Sequence, residues 1–297
     1  MAPELKGEDV LFRDVLAVCK TPYSANANRV TNLELACQAI DGLVLNPGQT
    51  FSFNDTLGER TAAKGYKSAP AYSGNELVDS VGGGICQVSS TLYCATLMAD
   101  LETVQRSNHG YAVSYIDYGM DATVSWGGPD LQFRNSANYP IQLSAQAKDG
   151  YVTVQILGTE EKDYYIEMSY TVAETYEPET EYADYPADSG YTDGEVIRSG
   201  SRGYLIKTYK NKYSRETGKL LNKEFVTNST YKKVNSLIAR VAAAETEPTT
   251  PETVPPTAPP TEAATEPTVA ETTPPVQEPS QEESAIQQTQ PQIQEEE

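Results

Sequence analysis

Apolar residues recur at three- and four-residue spacing in two stretches of the chain. In RVTNLELACQAIDGLVL, Leu33, Ala36, Cys37 and Ile40 share one face, which predicts a helix capped by Thr31 or Asn32. In VGGGICQVSSTLYCATLMADL, Val88, Leu92, Ala95 and Ala99 do the same, with Ser89, Ser90 and Tyr93 placed elsewhere around the axis. Three consecutive glycines, Gly82, Gly83 and Gly84, precede this second helix and allow a tight entry that a Cβ would forbid. Cys86 then falls in its first turn.

Other stretches alternate with a period of two. Residues 10 to 24 read as a strand leading into a loop, and NPGQTFSFNDTLG as turn chemistry followed by a short alternating segment. ERTAAKGYKSAPAYSGNELVDS is loop-rich. NHGYAVSYI and DATVSWGG alternate well enough to be two strands joined by the turn-like DYGM. LQFRNSANYPIQLSAQAKDGYVTVQILG adds further strands, with Asp149-Gly150 as a hairpin signal. Past Gly158 the pattern thins, and EPETEYADYPADSGYTDG reads as a linker. Residues 196–243 alternate again like a small antiparallel sheet, with a Gly218-centred turn, too small for a deep pocket. The organisation expected is therefore a lead-in over 1–28, a main domain over 29–158, a linker with sparse strands over 159–195, a small glycine-punctuated β module over 196–243 and a tail over 244–297.

Composition changes the picture at that tail. From Glu245 onward the chain holds twelve of its 42 acidic residues and no Lys or Arg, in a background of Pro, Thr and Gln. Such a segment buries too little apolar surface to offset the entropy of ordering, so a disordered, solvated tail is expected. The remainder has only a mild acidic excess, which excludes the basic footprint that nucleic-acid binding needs. No run of about 20 apolar residues is present, so no transmembrane helix is expected. MAPELKGEDVLFRDVL has no basic start and apolar core, hence no export signal. Together with a Thr/Pro/Glu tail of the kind found on surface proteins, this reads as a fragment of an extracellular or wall-associated protein.

The four cysteines, Cys19, Cys37, Cys86 and Cys94, lack paired metal-ligand spacing, and the chain has one histidine, so neither a metal nor another cofactor is expected. Cys19 and Cys37 could pair in an oxidising compartment. The glycine run is not a phosphate loop, because Gly-Ile-Cys-Gln stands where Gly-Lys-Ser/Thr is required. Gly-x-Ser-x-Gly is absent. Paired acids for sugar hydrolysis are a generic alternative, since sequence spacing says nothing about separation in space. Cysteine chemistry is sharper. The amides of a helix N-terminus favour thiolate, and His109 follows 23 residues after Cys86 at the start of an expected strand. Cys86 is either that nucleophile or a packing residue, and His109 either its base or a strand-end histidine bonded to backbone. The orienting acid would be Asp130, which shares a face with His109 if the hairpin centres between Tyr118 and Gly119. Asp121 is the alternative, placed by that hairpin at its far end and suited to capping the turn.

NPGQTFSFN, GYKSAPAY, GGGICQVSSTLYCATL, RSNHGYAVSYIDYGMDATV and DLQFRN together resemble the VanW family of bacterial proteins, named after an accessory protein of vancomycin-resistance clusters, from about Arg29 to Gly158. Residues 196–241 resemble, more weakly, the small β modules that often follow such domains. The resemblance implies an envelope-facing protein whose partners are peptidoglycan or envelope peptides and proteins. A more distant resemblance, carried by Cys86 on its helix followed by His109 and Asp130, is to the transglutaminase-like and papain-like core. It implies an α+β fold and acyl transfer at amide bonds: Cys86 as nucleophile, His109 as base, Asp130 as orienting acid, and an oxyanion partner among Asn54, Gln49 and Gln87 beside the Cys86 amide. The competing expectation is a non-catalytic wall-binding or scaffold domain with the same core.

Overall fold

The computed structural model describes residues 12–73 and 76–242. The expected disordered tail, and residues 1–11 of the segment on which the export-signal reading rests, lie outside the described residues. All described residues belong to one compact unit.

Strand β1 (Asp14–Pro22) leads into helix α1 (Ala27–Ile40), followed by β2 (Val44–Leu45), β3 (Thr50–Ser52) and the short helix α2 (Phe53–Leu57). The hairpin β4 (Ser68–Ser73) and β5 (Glu76–Val81) precedes helix α3 (Ile85–Met98) and β6 (Glu102–Gln105). An irregular stretch from 106 to 131 separates β6 from β7 (Gln132–Arg134), and β8 (Ile141–Lys148) and β9 (Tyr151–Gly158) follow. The remaining strands are β10 (Tyr164–Tyr176), β11 (Thr180–Tyr185), β12 (Val196–Arg198), β13 (Gly203–Ser214), β14 (Leu220–Tyr231) and β15 (Ser236–Val241). They form five small sheets, ordered β1-β9-β8-β2, β3-β7-β6, β4-β5, β10-β13-β14 and β11-β15-β12.

Local chemistry explains several of these elements. Asp149 and Gly150 both take positive φ, 53° and 80°, as a two-residue hairpin turn of matching twist requires, and β8 pairs with β9 across it. Ile141, Leu143, Val152, Val154 and Ile156 then alternate into the core. Helix α3 packs on β1 and β9 and touches α1. Full burial of Val88 and Leu92 is worth about 1.5–3 kcal/mol each by apolar transfer.

Helix α1 begins earlier than its apolar spacing suggests. Asn26 is the cap, its side chain accepting the Arg29 amide at 3.0 Å. Thr31 instead donates to the Ala27 carbonyl inside the helix. Asn32 is buried and bonds the Lys67 amide and the Lys67 and Gly83 carbonyls.

The expected α+β class with a transglutaminase-like or papain-like core is overturned: strands predominate, spread over small sheets, with only three α-helices among the described residues. The central expectation that fails is the hairpin from NHGYAVSYI to DATVSWGG. Its residues form no strand, because their backbone groups find other partners. The His109 amide goes to Asp121, the Ala122 amide to Ser90 Oγ, the Thr123 amide to the Ser107 carbonyl and the Gly119 amide to Tyr231 Oη. This irregular stretch also covers the polar side of α3. Ser89 and Ser90 are fully buried there, with the Ala122 carbonyl accepting from Ser89 at 2.7 Å.

The 159–195 stretch, expected as a linker with sparse strands, supplies β10 and β11, which pair with β13 and β15 respectively. The resulting module is tied to the α3 side of the molecule. Asp100, just past α3, is bonded by Lys210 Nζ at 2.8 Å and Tyr164 Oη at 2.7 Å, and Lys212 Nζ lies 3.1 Å away.

Candidate thiol site

The glycine run opens α3 in a specific way. A Cβ on Gly83 would stand 2.1 Å from the Ala69 carbonyl oxygen, so the chain passes against β4 only because no side chain is there. Gly84 caps the helix at φ 104°. Cys86 follows in the first turn, where its own amide has no partner within the helix by position.

The Cys86 thiol is half-buried and donates to the Val124 carbonyl at 3.4 Å. The Cys86 thiol and the His109 ring shift each other's titration, so the two groups interact. His109 Nδ1 is 2.6 Å from Asp121 Oδ2, and the same oxygen accepts the His109 backbone amide at 2.6 Å. Nε2 is therefore the ring nitrogen left for the thiol. The other carboxylate oxygen of Asp121 accepts from Arg106 Nη2 at 2.9 Å and Tyr231 Oη at 2.5 Å. Arg106 Nε also donates to the Asp121 carbonyl at 2.6 Å, and its guanidinium lies 5.1 Å from the Tyr93 ring centre. The His109 side chain is 14% exposed and that of Asp121 1%, so the imidazole is the rim of the site and the carboxylate its floor.

These neighbours set the charges. Burial pushes the Cys86 thiol up, but the His109 ring, the Val124 backbone and the Arg60 charge outweigh it and hold the thiol below its ordinary value. Burial pulls the His109 imidazolium down, while Asp121 and Cys86 raise it to about 9. Burial opposes the Asp121 carboxylate, and His109 and Arg106 nevertheless lower it. The thiol is shifted down and the imidazole up, the two directions that favour a thiolate–imidazolium pair.

Asp130, the expected orienting acid, stands elsewhere. It accepts from Ser52 Oγ, the Asn54 and Leu131 amides and Gln132 Nε2, so it ties α2 and β3 to the start of β7. The face-sharing argument for it fails with the hairpin. Asp121, expected at the far end of that hairpin, instead faces His109. Of the oxyanion candidates, Asn54 gives its amide hydrogens to the Ser125 and Pro129 carbonyls, and Gln87 gives its own to Thr21 Oγ1 and the Pro22 carbonyl. Gln49 accepts the Asn46 amide in an exposed turn.

Several contributors have no mark in the sequence pattern. Arg106 lies three residues before His109. Tyr115 donates to the Cys86 carbonyl at 3.4 Å and lies 3.3 Å from Ser90 Oγ. Tyr231 is more than a hundred residues away and belongs to another sheet. Among the described residues no group of three or more His, Cys, Asp or Glu side chains gathers as a metal would need. The Cys94 thiol faces Cys19 and is pushed well up by that neighbour and by burial, and Cys37 is raised to about 12 by burial. Cys19 and Cys37 are both free thiols here.

A helix-opening thiol flanked by an imidazole and a buried carboxylate, in a mostly β frame, is the class of site on view. Residues 28–157, which carry all three groups, match a family model described as "VanW like protein". A Bacillus subtilis (strain 168) protein called "Uncharacterized protein YoaR" is 48% identical over 137 residues, covering 46% of this chain and 45% of its own. The "Vancomycin B-type resistance protein VanW" of Enterococcus faecalis (strain ATCC 700802 / V583) is 33% identical over 134 residues, covering 43% of this chain and 49% of its own. The chain thus spans less than half the length of either of these relatives. The segment is VanW-like, as its motifs implied. Two solved structures, "Crystal structure of HP0197-G5" and "IgA1 Protease G5 domain structure", share 12% and 16% identity at TM-scores of 0.16 and 0.19. Each aligns with 27% of this chain and with 99% and 87% of its own, a likeness too slight to bear on fold or function.

Proposed function

We propose that this chain belongs to the cell envelope and acts on peptidoglycan peptides or envelope proteins through thiol acyl transfer. Cys86 attacks an amide carbonyl and forms a thioester as the C–N bond breaks, His109 gives the thiol proton through Nε2 to the departing amine, and Asp121 holds the imidazole by Nδ1; water or an acceptor amine then cleaves the thioester, losing its proton to His109, which returns it to Cys86. The observation that carries the reading is the 2.6 Å contact between His109 and Asp121 beside a first-turn cysteine whose thiol is held below its ordinary value. The envelope setting rests on the VanW-like segment and on the name of the Enterococcus relative. No helix among the described residues is long and apolar enough to cross a membrane.

Incubation of the chain with labelled peptidoglycan fragments, followed by mass spectrometry, tests it. The reading expects a product, or a Cys86 thioester, that is absent with Cys86→Ala. A second reading, binding to wall material without turnover, is favoured by an open groove of about 570 Å³ lined by Tyr176, Glu177, Thr230, Tyr231, Lys232 and Lys233. Retention on peptidoglycan by wild type and Cys86→Ala alike, with no product from either, supports that second reading and removes the first.

A further inference from the structure

We infer that the β10–β14 module is a working part of the thiol site, and that Tyr231 at the end of β14 is a positioning residue for the Asp121–His109 pair. The inference rests on the thiol-site reading above and extends it beyond residues 28–157. Tyr231 is 1% exposed and its hydroxyl has two partners, donating to Asp121 Oδ1 at 2.5 Å and accepting the Gly119 amide at 2.7 Å. One hydroxyl therefore fixes both the acid and the backbone two residues before it. Ser229, two residues back on β14, accepts from Arg106 Nη1 at 2.8 Å, and Arg106 in turn donates to both Asp121 Oδ1 and the Asp121 carbonyl.

The contact continues around the histidine. The Lys232 amide donates to the Gly110 carbonyl at 2.8 Å, and Asn108 Nδ2 to the Thr230 carbonyl at 2.8 Å. Tyr118 inserts among Tyr170, Tyr204 and Tyr231, with ring centres 5.2–5.7 Å apart. Gly119, at φ 77°, brings the loop so close that a Cβ there would stand 1.9 Å from Thr208 Oγ1 of β13. The stretch from 106 to 121 has no strand pairing of its own, and these contacts with the module surface are among those that hold it. A carboxylate that is to orient an imidazole needs its own second partners, and these are the ones present.

The single histidine makes the inference directly measurable. The groups facing it are Cys86 from α3 and Asp121 from its own loop, with Arg106 and Tyr231 on the far oxygen of Asp121. In the full chain, Tyr231→Phe removes one hydroxyl and keeps the ring. The expected result is that the His109 imidazole, followed by proton NMR, titrates at least about half a pH unit lower than in wild type. Cys86 alkylation at pH 7 slows about three- to tenfold alongside it. Ser229→Ala should move the titration the same way by less, and it stands in if Tyr231→Phe does not fold. Tyr213→Phe, stacked on Tyr165 away from these contacts, should leave it unchanged. A folded Tyr231→Phe with an unmoved titration overturns the inference. So does an upward move, which would mean that the hydroxyl only shares Asp121 charge. A wild-type Cys86 no more reactive than the other cysteines removes the thiol-site reading instead, while the His109 titration still reports on Tyr231.

Discussion

Asp121 Oδ2 lies 2.6 Å from both the Nδ1 and the backbone nitrogen of His109. A carboxylate that grips a histidine twice fixes its ring plane and its tautomer together, and leaves Nε2 aimed outward. Asp121→Asn keeps the shape but replaces an acceptor of the Nδ1 proton by a group that also presents N–H. Alkylation of Cys86 at pH 7 is expected to slow by at least about tenfold, read by mass spectrometry of the labelled peptide.

Asp130→Asn should do the opposite. Its oxygens accept two backbone amides and two side-chain donors away from the thiol. Losing the charge weakens these bonds, at a cost of about 1–3 kcal/mol in urea unfolding, with the Cys86 alkylation rate within about twofold of wild type.

The histidine also predicts a pH dependence of stability. Its folded value is raised to about 9, above the value of about 6.5 in an unfolded chain. Protonated His109 therefore contributes stability that is complete below about pH 6.5 and is lost as pH rises through about 9. Cys86 titrates in the opposite sense, so the comparison is made in a Cys86→Ser background. There the part of the shift owed to Cys86 is gone and the part owed to Asp121 remains, so urea unfolding of the His109-containing protein against His109→Gln should show an advantage at pH 6 that shrinks as pH rises above about 6.5.

Two glycines should respond differently to alanine. Gly83→Ala drives a Cβ into the Ala69 carbonyl, so a loss of more than about 2 kcal/mol is expected, with altered Cys86 reactivity as α3 shifts. Gly48→Ala meets nothing within 4 Å and carries only the cost of its φ of 79°, about 1–2 kcal/mol, and leaves the thiol unaffected. Thermal melts and alkylation rates on both variants check this.

What could be read in the sequence is what local chemistry decides. Asp149-Gly150 and Gly218 announce their turns, the β8 and β9 alternation announces buried strands, and the glycine run announces a close-packed helix entry. The cysteine, the histidine and both candidate acids are visible as residue types. The choice between Asp121 and Asp130 is not, because it hangs on whether residues 109–128 pair as a hairpin. Their alternation is equally compatible with a loop whose amides are taken by Ser90, Asp121 and Tyr231, and those partners come from three separate parts of the chain. The polar residues of α3 mislead for the same reason: Ser89 and Ser90 are buried because a distant loop brings acceptors to them. Tyr231 and Ser229 reach the site by tertiary docking alone, which no spacing rule encodes.

The most direct test of the account is the rate at which iodoacetamide labels each cysteine of the native full chain, resolved by peptide mass spectrometry. Cys86 should react at least about ten times faster at pH 7 than Cys19, Cys37 and Cys94, and His109→Ala should abolish the advantage. Equal, slow labelling of all four cysteines in the folded protein would contradict it.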